Sequence, residues 1–161
     1  MIGIVVVSHS HALAEAAVEL AEQMVPEGGP RLMTAAGTAD GGFGTDAGAI
    51  SKAIEEVDSG DGVLVVLDIG SAILSSELAV EFLNPSLAER VLVSAAPLVE
   101  GLLTAVVAAA GGAELTVVAG EADTALAGKA AHLAHDQDAP RLLDLPHTPA
   151  ARPRPRRLVW R

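Results

Sequence analysis

Two histidines one residue apart, His9 and His11, lie in the stretch IVVVSHSHAL at residues 4–13, directly after a run of β-branched apolar side chains. The polar string Ser8-His9-Ser10-His11 at the end of a buried strand admits three chemistries: a metal pair, a capped helix start or a reactive imidazole. A His-x-His pair can ligate a metal, but the chain has no cysteine and no carboxylate cluster beside the pair. In the second reading, Ser8 or Ser10 is simply the N-cap of a following helix. The third chemistry needs a carboxylate. Hydrogen-bonded to one ring nitrogen, it fixes the tautomer and leaves the other nitrogen's lone pair free for attack. Asp68 closes the apolar run GVLVVLDI at 62–69, and an acid at the end of a buried strand is costly without a partner.

Alternating segments are what can bring these residues together. Ile2–Val7 has the continuous apolar character of a strand buried on both faces. From His11 to Met24 the spacing is helical, with Leu13, Ala17, Leu20, Ala21 and Met24 on one stripe and Glu15, Glu19 and Glu22 off it. Gly28-Gly29-Pro30 breaks the chain. A strand at Arg31–Ala36, the loop GTADGGFG and a helix from about Asp46 to Val57 follow. Gly42-Phe43-Gly44 lacks the G-x-G-x-x-G spacing of a dinucleotide site and counts as flexible loop. Further on come strand Gly62–Ile69, a helix from Gly70-Ser71 to about Phe82, strand Arg90–Ala95 and an alanine-rich helix from Pro97 to about Ala110. Residues 113–135 suit a helix better than a strand, although Leu115–Ala119 fits either.

This alternation predicts an α/β fold, doubly wound, with a four-stranded parallel sheet and helices on both faces. Ligands bind such sheets at the carboxyl ends of the strands, where strand order reverses. In the order 2-1-3-4, His9 and Asp68 sit side by side at that point. The helices starting near Ser10 and Ser71 aim unpaired N–H groups into the same crevice, a place for a phosphate, and Thr45 and the serines can add neutral donors.

Half of the 161 residues are hydrophobic, yet Phe43, Phe82 and Trp160 are the only aromatic ones, so the core must be built from Val, Leu, Ile and Ala. Residues 1–129 carry Arg31, Lys52, Arg90 and Lys129 against 18 acids. So acidic a body repels nucleic acid and anionic membranes, which leaves proteins or small molecules as partners. The lack of cysteine, of a membrane span and of a basic signal start at Met1-Ile2-Gly3 fits a cytoplasmic location. Residues 136–161 differ: six arginines alternate with five of the nine prolines. This composition predicts a disordered C-terminal tail after a domain at 1–135.

Four segments in order, IVVVSHS at the amino terminus, GTD at 44–46, LDIGSAILSSE at 67–77 and SAAPLVEG at 94–101, resemble a known family. They are similar to the phosphotransferase subunits (DhaM) of phosphoenolpyruvate-dependent dihydroxyacetone kinases, which are mannose-type EIIA domains. The resemblance spans roughly residues 1–130. It implies a homodimer whose phosphoacceptor, on Nε2 (tele-phosphohistidine), is His9, oriented by Asp68. Ser10, Thr45, Gly70 and Ser71 are the expected phosphate contacts, and no metal is expected. The implied donor is the phosphocarrier HPr. The implied acceptor is ADP held by a partner subunit, DhaL, whose ATP phosphorylates dihydroxyacetone on DhaK; no cofactor binds tightly to this chain. His11 lies outside the matched pattern and is expected to start the helix. Sugar-transporting relatives often follow the aspartate with Gly-Gly-Ser-Pro, whereas Ile69-Gly70-Ser71-Ala72 stands here. That favours the dihydroxyacetone branch over a sugar-transport component or a non-catalytic sensor of phosphorylation. Without fused HPr-like or Enzyme I-like domains, the chain is expected to use separate HPr and Enzyme I.

Overall fold

The computed structural model describes residues 1–134. The Pro/Arg-rich stretch, expected to be a disordered tail, lies outside the described residues. Ten elements follow in order: β1 (Gly3–Ser8), α1 (His11–Glu22), β2 (Arg31–Ala36), α2 (Ala47–Val57), β3 (Val63–Leu67), α3 (Ser71–Glu81), α4 (Pro85–Ala88), β4 (Val91–Val93), α5 (Leu98–Ala110) and α6 (Leu115–Ala134). The four strands form one parallel sheet, as the alternation predicted, and their order is the expected one, β2-β1-β3-β4.

Successive strand side chains point to opposite faces, and both faces of β1 and β3 are covered. Ile4, Val6, Leu64 and Val66 pack with Ala14, Ala17 and Ala21 of α1, Leu102 and Val106 of α5, and Val118 and Ala122 of α6. Val5, Val7, Val63, Val65 and Leu67 pack with Ile50, Ile54 and Val57 of α2 and with Ala72 and Ala79 of α3. Burial on both sides explains why these strands read as unbroken Val/Ile/Leu runs.

Two expectations need correction, and one element is new. The stripe of α1 is turned: Ala14, Ala17 and Ala21 face the core, while Leu13, Leu20 and Met24 are exposed. Both stripes have the same period, so spacing could not choose the phase; small alanines let the helix sit close to the sheet and α5. Strand β4 is only Val91–Val93 rather than Arg90–Ala95. At its end the Ser94 hydroxyl donates to Asp123 (2.7 Å) and accepts from the Ala96 N–H (3.1 Å), and the chain turns into α5. The short helix α4 was not anticipated, although Asn84-Pro85 is a good start signal: the Asn84 side chain accepts from the Leu87 N–H at 3.0 Å with Pro85 in the first turn. Residues 115–134 are helical throughout, which resolves the segment that fitted either structure.

Candidate phosphotransfer site

Three loops meet at the carboxyl edge of the sheet, and backbone hydrogen bonds join them. The Gly37 N–H donates to the Ser8 carbonyl (3.1 Å), the Gly44 N–H to the His9 carbonyl (3.0 Å), and the Asp68 N–H to the Val7 carbonyl (3.2 Å). The adjacency of β1 and β3 thereby brings His9 and Asp68 together across 59 residues of chain.

Asp68 accepts four hydrogen bonds. One oxygen takes the His9 ring Nδ1 at 2.9 Å and the Ile69 N–H at 2.7 Å. The other takes the His9 backbone N–H at 2.8 Å and the Ser8 hydroxyl at 2.9 Å. Burial at the strand end pushes the Asp68 carboxyl up. The donors from the His9 and Ile69 backbones, the His9 ring and Ser8 together outweigh it and hold the group below the ordinary carboxylate value.

A carboxylate can only accept, so Nδ1 carries the proton and Nε2 keeps its lone pair. Nε2 lies 2.7 Å from the Ser71 hydroxyl, which donates to it. The His9 side chain is 30% exposed and Asp68 13%, so the ring is partly open to solvent while the carboxylate that holds it is largely covered. Gly70 precedes α3 at φ +52°, a conformation that suits glycine, and it provides no side-chain cap for the helix. The positive end of α3 thus starts at Ser71, next to Nε2, although its Ala72 and Ile73 N–H groups already donate to the Ile69 and Gly70 carbonyls at 3.0 and 3.1 Å.

Not every residue expected here joins His9. His9, Asp68, Gly70 and Ser71 come together. The Ser10 hydroxyl is used as the N-cap of α1, accepting from the Leu13 N–H at 3.3 Å. Thr45 pairs with Ser75 at 2.8 Å, tying the second loop to α3. His11 opens α1 and faces Glu15 one turn on, at 3.1 Å. Ser8, a candidate cap or neutral donor from the sequence, is fully buried and supports the carboxylate: its hydroxyl donates to Asp68 and accepts from the Ser10 N–H at 3.0 Å. A hydroxyl as the last residue of an apolar strand, next to the histidine, was the signal for it.

A family model described as "EIIA-man: PTS system fructose IIA component" matches residues 3–118, which include every one of these groups. The chain belongs to the EIIA-man family. Within this family it is similar to proteins named as the phosphoryl donor subunit DhaM of PEP-dependent dihydroxyacetone kinase. The Klebsiella michiganensis DhaM is 46% identical over 83% of this chain, and the Escherichia coli DhaM is 47% identical over 80%. This EIIA-man chain spans 29% and 28% of the lengths of those two relatives. A Listeria innocua relative, the DhaM of a second dihydroxyacetone kinase, is 41% identical over 66% of this chain and 85% of its own length. The EIIA-man fold also matches the crystal structure of EF1359, a protein of unknown function, with a TM-score of 0.70 and 35% identity over 76% of this chain and 93% of that one. Among the described residues no helix is long and apolar enough to cross a membrane.

Proposed function

We propose that this chain is a phosphohistidine relay subunit of a dihydroxyacetone kinase, working in the cytoplasm. His9 takes a phosphoryl group from phospho-HPr and passes it to ADP held by a DhaL-like subunit. The ATP so formed phosphorylates dihydroxyacetone on a DhaK-like subunit. The observation that carries this reading is the His9 ring, locked through Nδ1 by an ionised Asp68 with Nε2 turned to an open edge.

In the first step the Nε2 lone pair attacks phosphorus as the P–N bond to the donor's imidazole breaks. The proton on Nδ1 stays in its bond to Asp68, whose charge balances the cationic ring. Ser71 turns its hydroxyl from Nε2 to a phosphoryl oxygen, and the Gly70-Ser71 end of α3 supplies N–H donors to the others. In the second step a terminal oxygen of ADP attacks the same phosphorus. The P–Nε2 bond breaks, its electron pair returns to the ring, and His9 is neutral again.

Incubation with Enzyme I, HPr and phosphoenolpyruvate tests the nucleophile. The intact chain gains acid-labile, base-stable phosphate; His9→Ala gains none, and His11→Ala keeps most of it. Acid-labile phosphate on the His9→Ala chain would remove the assignment. Addition of a DhaL–ADP complex then separates this reading from a sugar-transport component or a sensor, neither of which would discharge to it.

A further inference from the structure

Thr45 and Ser75 meet hydroxyl to hydroxyl at 2.8 Å, in a partly buried contact between two segments that both hold His9. Thr45 ends the loop whose Gly44 N–H donates to the His9 carbonyl at 3.0 Å. Ser75 lies one helical turn below Ser71, whose hydroxyl reaches Nε2. Thr45 has no simpler duty as a cap, because Asp46 caps α2 through the Gly48 and Ala49 N–H groups. The loop bends at Gly37 and Gly41, with φ +68° and +83°. Its other hydrogen bonds run within the loop or back to Ser8 and His9. Among the described residues, Thr45 to Ser75 is the one hydrogen bond between this loop and α3.

We infer that Thr45 and Ser75 are a positioning pair for phosphotransfer, holding the Gly44 side and the Ser71 side of His9 in register. The inference rests on the relay reading of His9 and adds two residues that act through Gly44 and Ser71 rather than on phosphorus. Asp68 fixes the ring through Nδ1. It does not fix where the Ser71 hydroxyl stands when that group leaves Nε2 for a phosphoryl oxygen. A bond from Ser75 to a loop seated on the His9 backbone does so, because it ties that turn of α3 to the residue that attacks. Transfer is sensitive to such placement: a shift of about 1 Å can slow a reaction about a hundredfold. The two hydroxyls therefore work as one unit, and with either gone the other positions nothing.

Thr45→Val keeps the shape and removes the hydroxyl, and Ser75→Ala does the same on the helix. At saturating phospho-HPr each should slow loading of His9 by about 10- to 100-fold, with KM changed by less than about twofold. Phosphoramidate, a small donor that needs no protein contact, should show the same loss. The double variant should be no slower than the slower single one, whereas Thr45→Ser, which keeps the hydroxyl, should load like the unsubstituted chain. Hydrogen exchange at the Gly44 amide should quicken in both single variants as the loop leaves the His9 carbonyl. Melting temperature checks the fold, and Thr45→Ala repeats the test with a smaller side chain. Loss in Thr45→Val with Ser75→Ala unaffected would overturn the inference and make Thr45 a direct phosphate contact. Unchanged rates in both single variants, or losses that multiply in the double one, would overturn it too. If the unsubstituted chain takes phosphate from neither donor, the relay reading itself fails and this inference with it.

Discussion

Asp68 is held by more donors than any other acid near His9, and the cost of disturbing it can be worked out group by group. Asp68→Asn keeps the shape but loses the charge that fixes the tautomer and balances the cationic ring. Transfer from phospho-HPr should slow by about 10- to 1,000-fold with the fold intact, which stopped-flow or quench kinetics would measure. Ser8→Ala removes a buried donor and strands the Ser10 N–H, so it should cost about 1–3 kcal/mol in urea unfolding and also slow transfer. Unchanged kinetics in Ser8→Ala would mean that it only fills space. The lowered pKa of Asp68 also has a sign for stability. Its folded pKa is below the unfolded one, so the native state binds fewer protons. The stabilisation is therefore full above the unfolded carboxylate value and disappears as pH falls through the folded one. The melting-temperature gap between the unsubstituted chain and Asp68→Asn should be constant near neutrality and close in acid. His9 and Asp68 were legible in the sequence because each is chemically out of place at the end of an apolar run. Ser8 was legible as a cap or a neutral donor but not as the partner of Asp68, because which acceptor a hydroxyl meets depends on a strand 60 residues away.

Among the elements, the SAAPLVEG segment shows how a family motif can serve packing instead of chemistry. Ser94 ties the end of β4 to Asp123 of α6, and Gly101 lets α5 pass close by. A Cβ at Gly101 would lie 2.5 Å from the Ala96 Cβ, closer than atoms tolerate. Gly101→Ala gains about 1 kcal/mol of helix propensity but must push that contact apart, at a cost of about 1–3 kcal/mol. The clash wins, and the variant should melt lower. Gly128, in α6 with nothing near its missing Cβ, is the opposite case. Gly128→Ala should be more stable by about 0.5–1 kcal/mol. Thermal unfolding of the two variants side by side would decide both. Element types and order were readable from period and breakers, yet the face each helix buries was not. In α1 the alanine and leucine stripes are a fraction of a turn apart, and closeness of approach selected alanine.

At the scale of the molecule, the charge division between residues 1–129 and the Arg/Pro stretch after them suggests that the latter acts on association and not on folding. A chain ending at Ala134 keeps every described strand and helix. It should melt at the temperature of the full chain and accept phosphate from phosphoramidate at the same rate. Any difference should be confined to partner proteins and shrink as salt rises, because salt screens attraction between opposite charges. A shortened chain that unfolds, or that takes no phosphate at any salt, would show that the domain extends past residue 135.

The sequence alone determined the α/β class with a parallel sheet, the candidate residues at the strand ends and the family they resemble. These are written in local patterns: hydrophobic period, polar residues closing apolar runs, and short motifs in order. Tertiary structure alone decided that Ser8 supports Asp68, that Ser10 and Thr45 turn to α1 and α3, and that α3 presents Leu74, Leu78 and Phe82 to solvent. The reason is physical. A period states that a helix has two faces, and a hydroxyl states that it needs a partner, but only the packed neighbours select which face is buried and which partner is within reach.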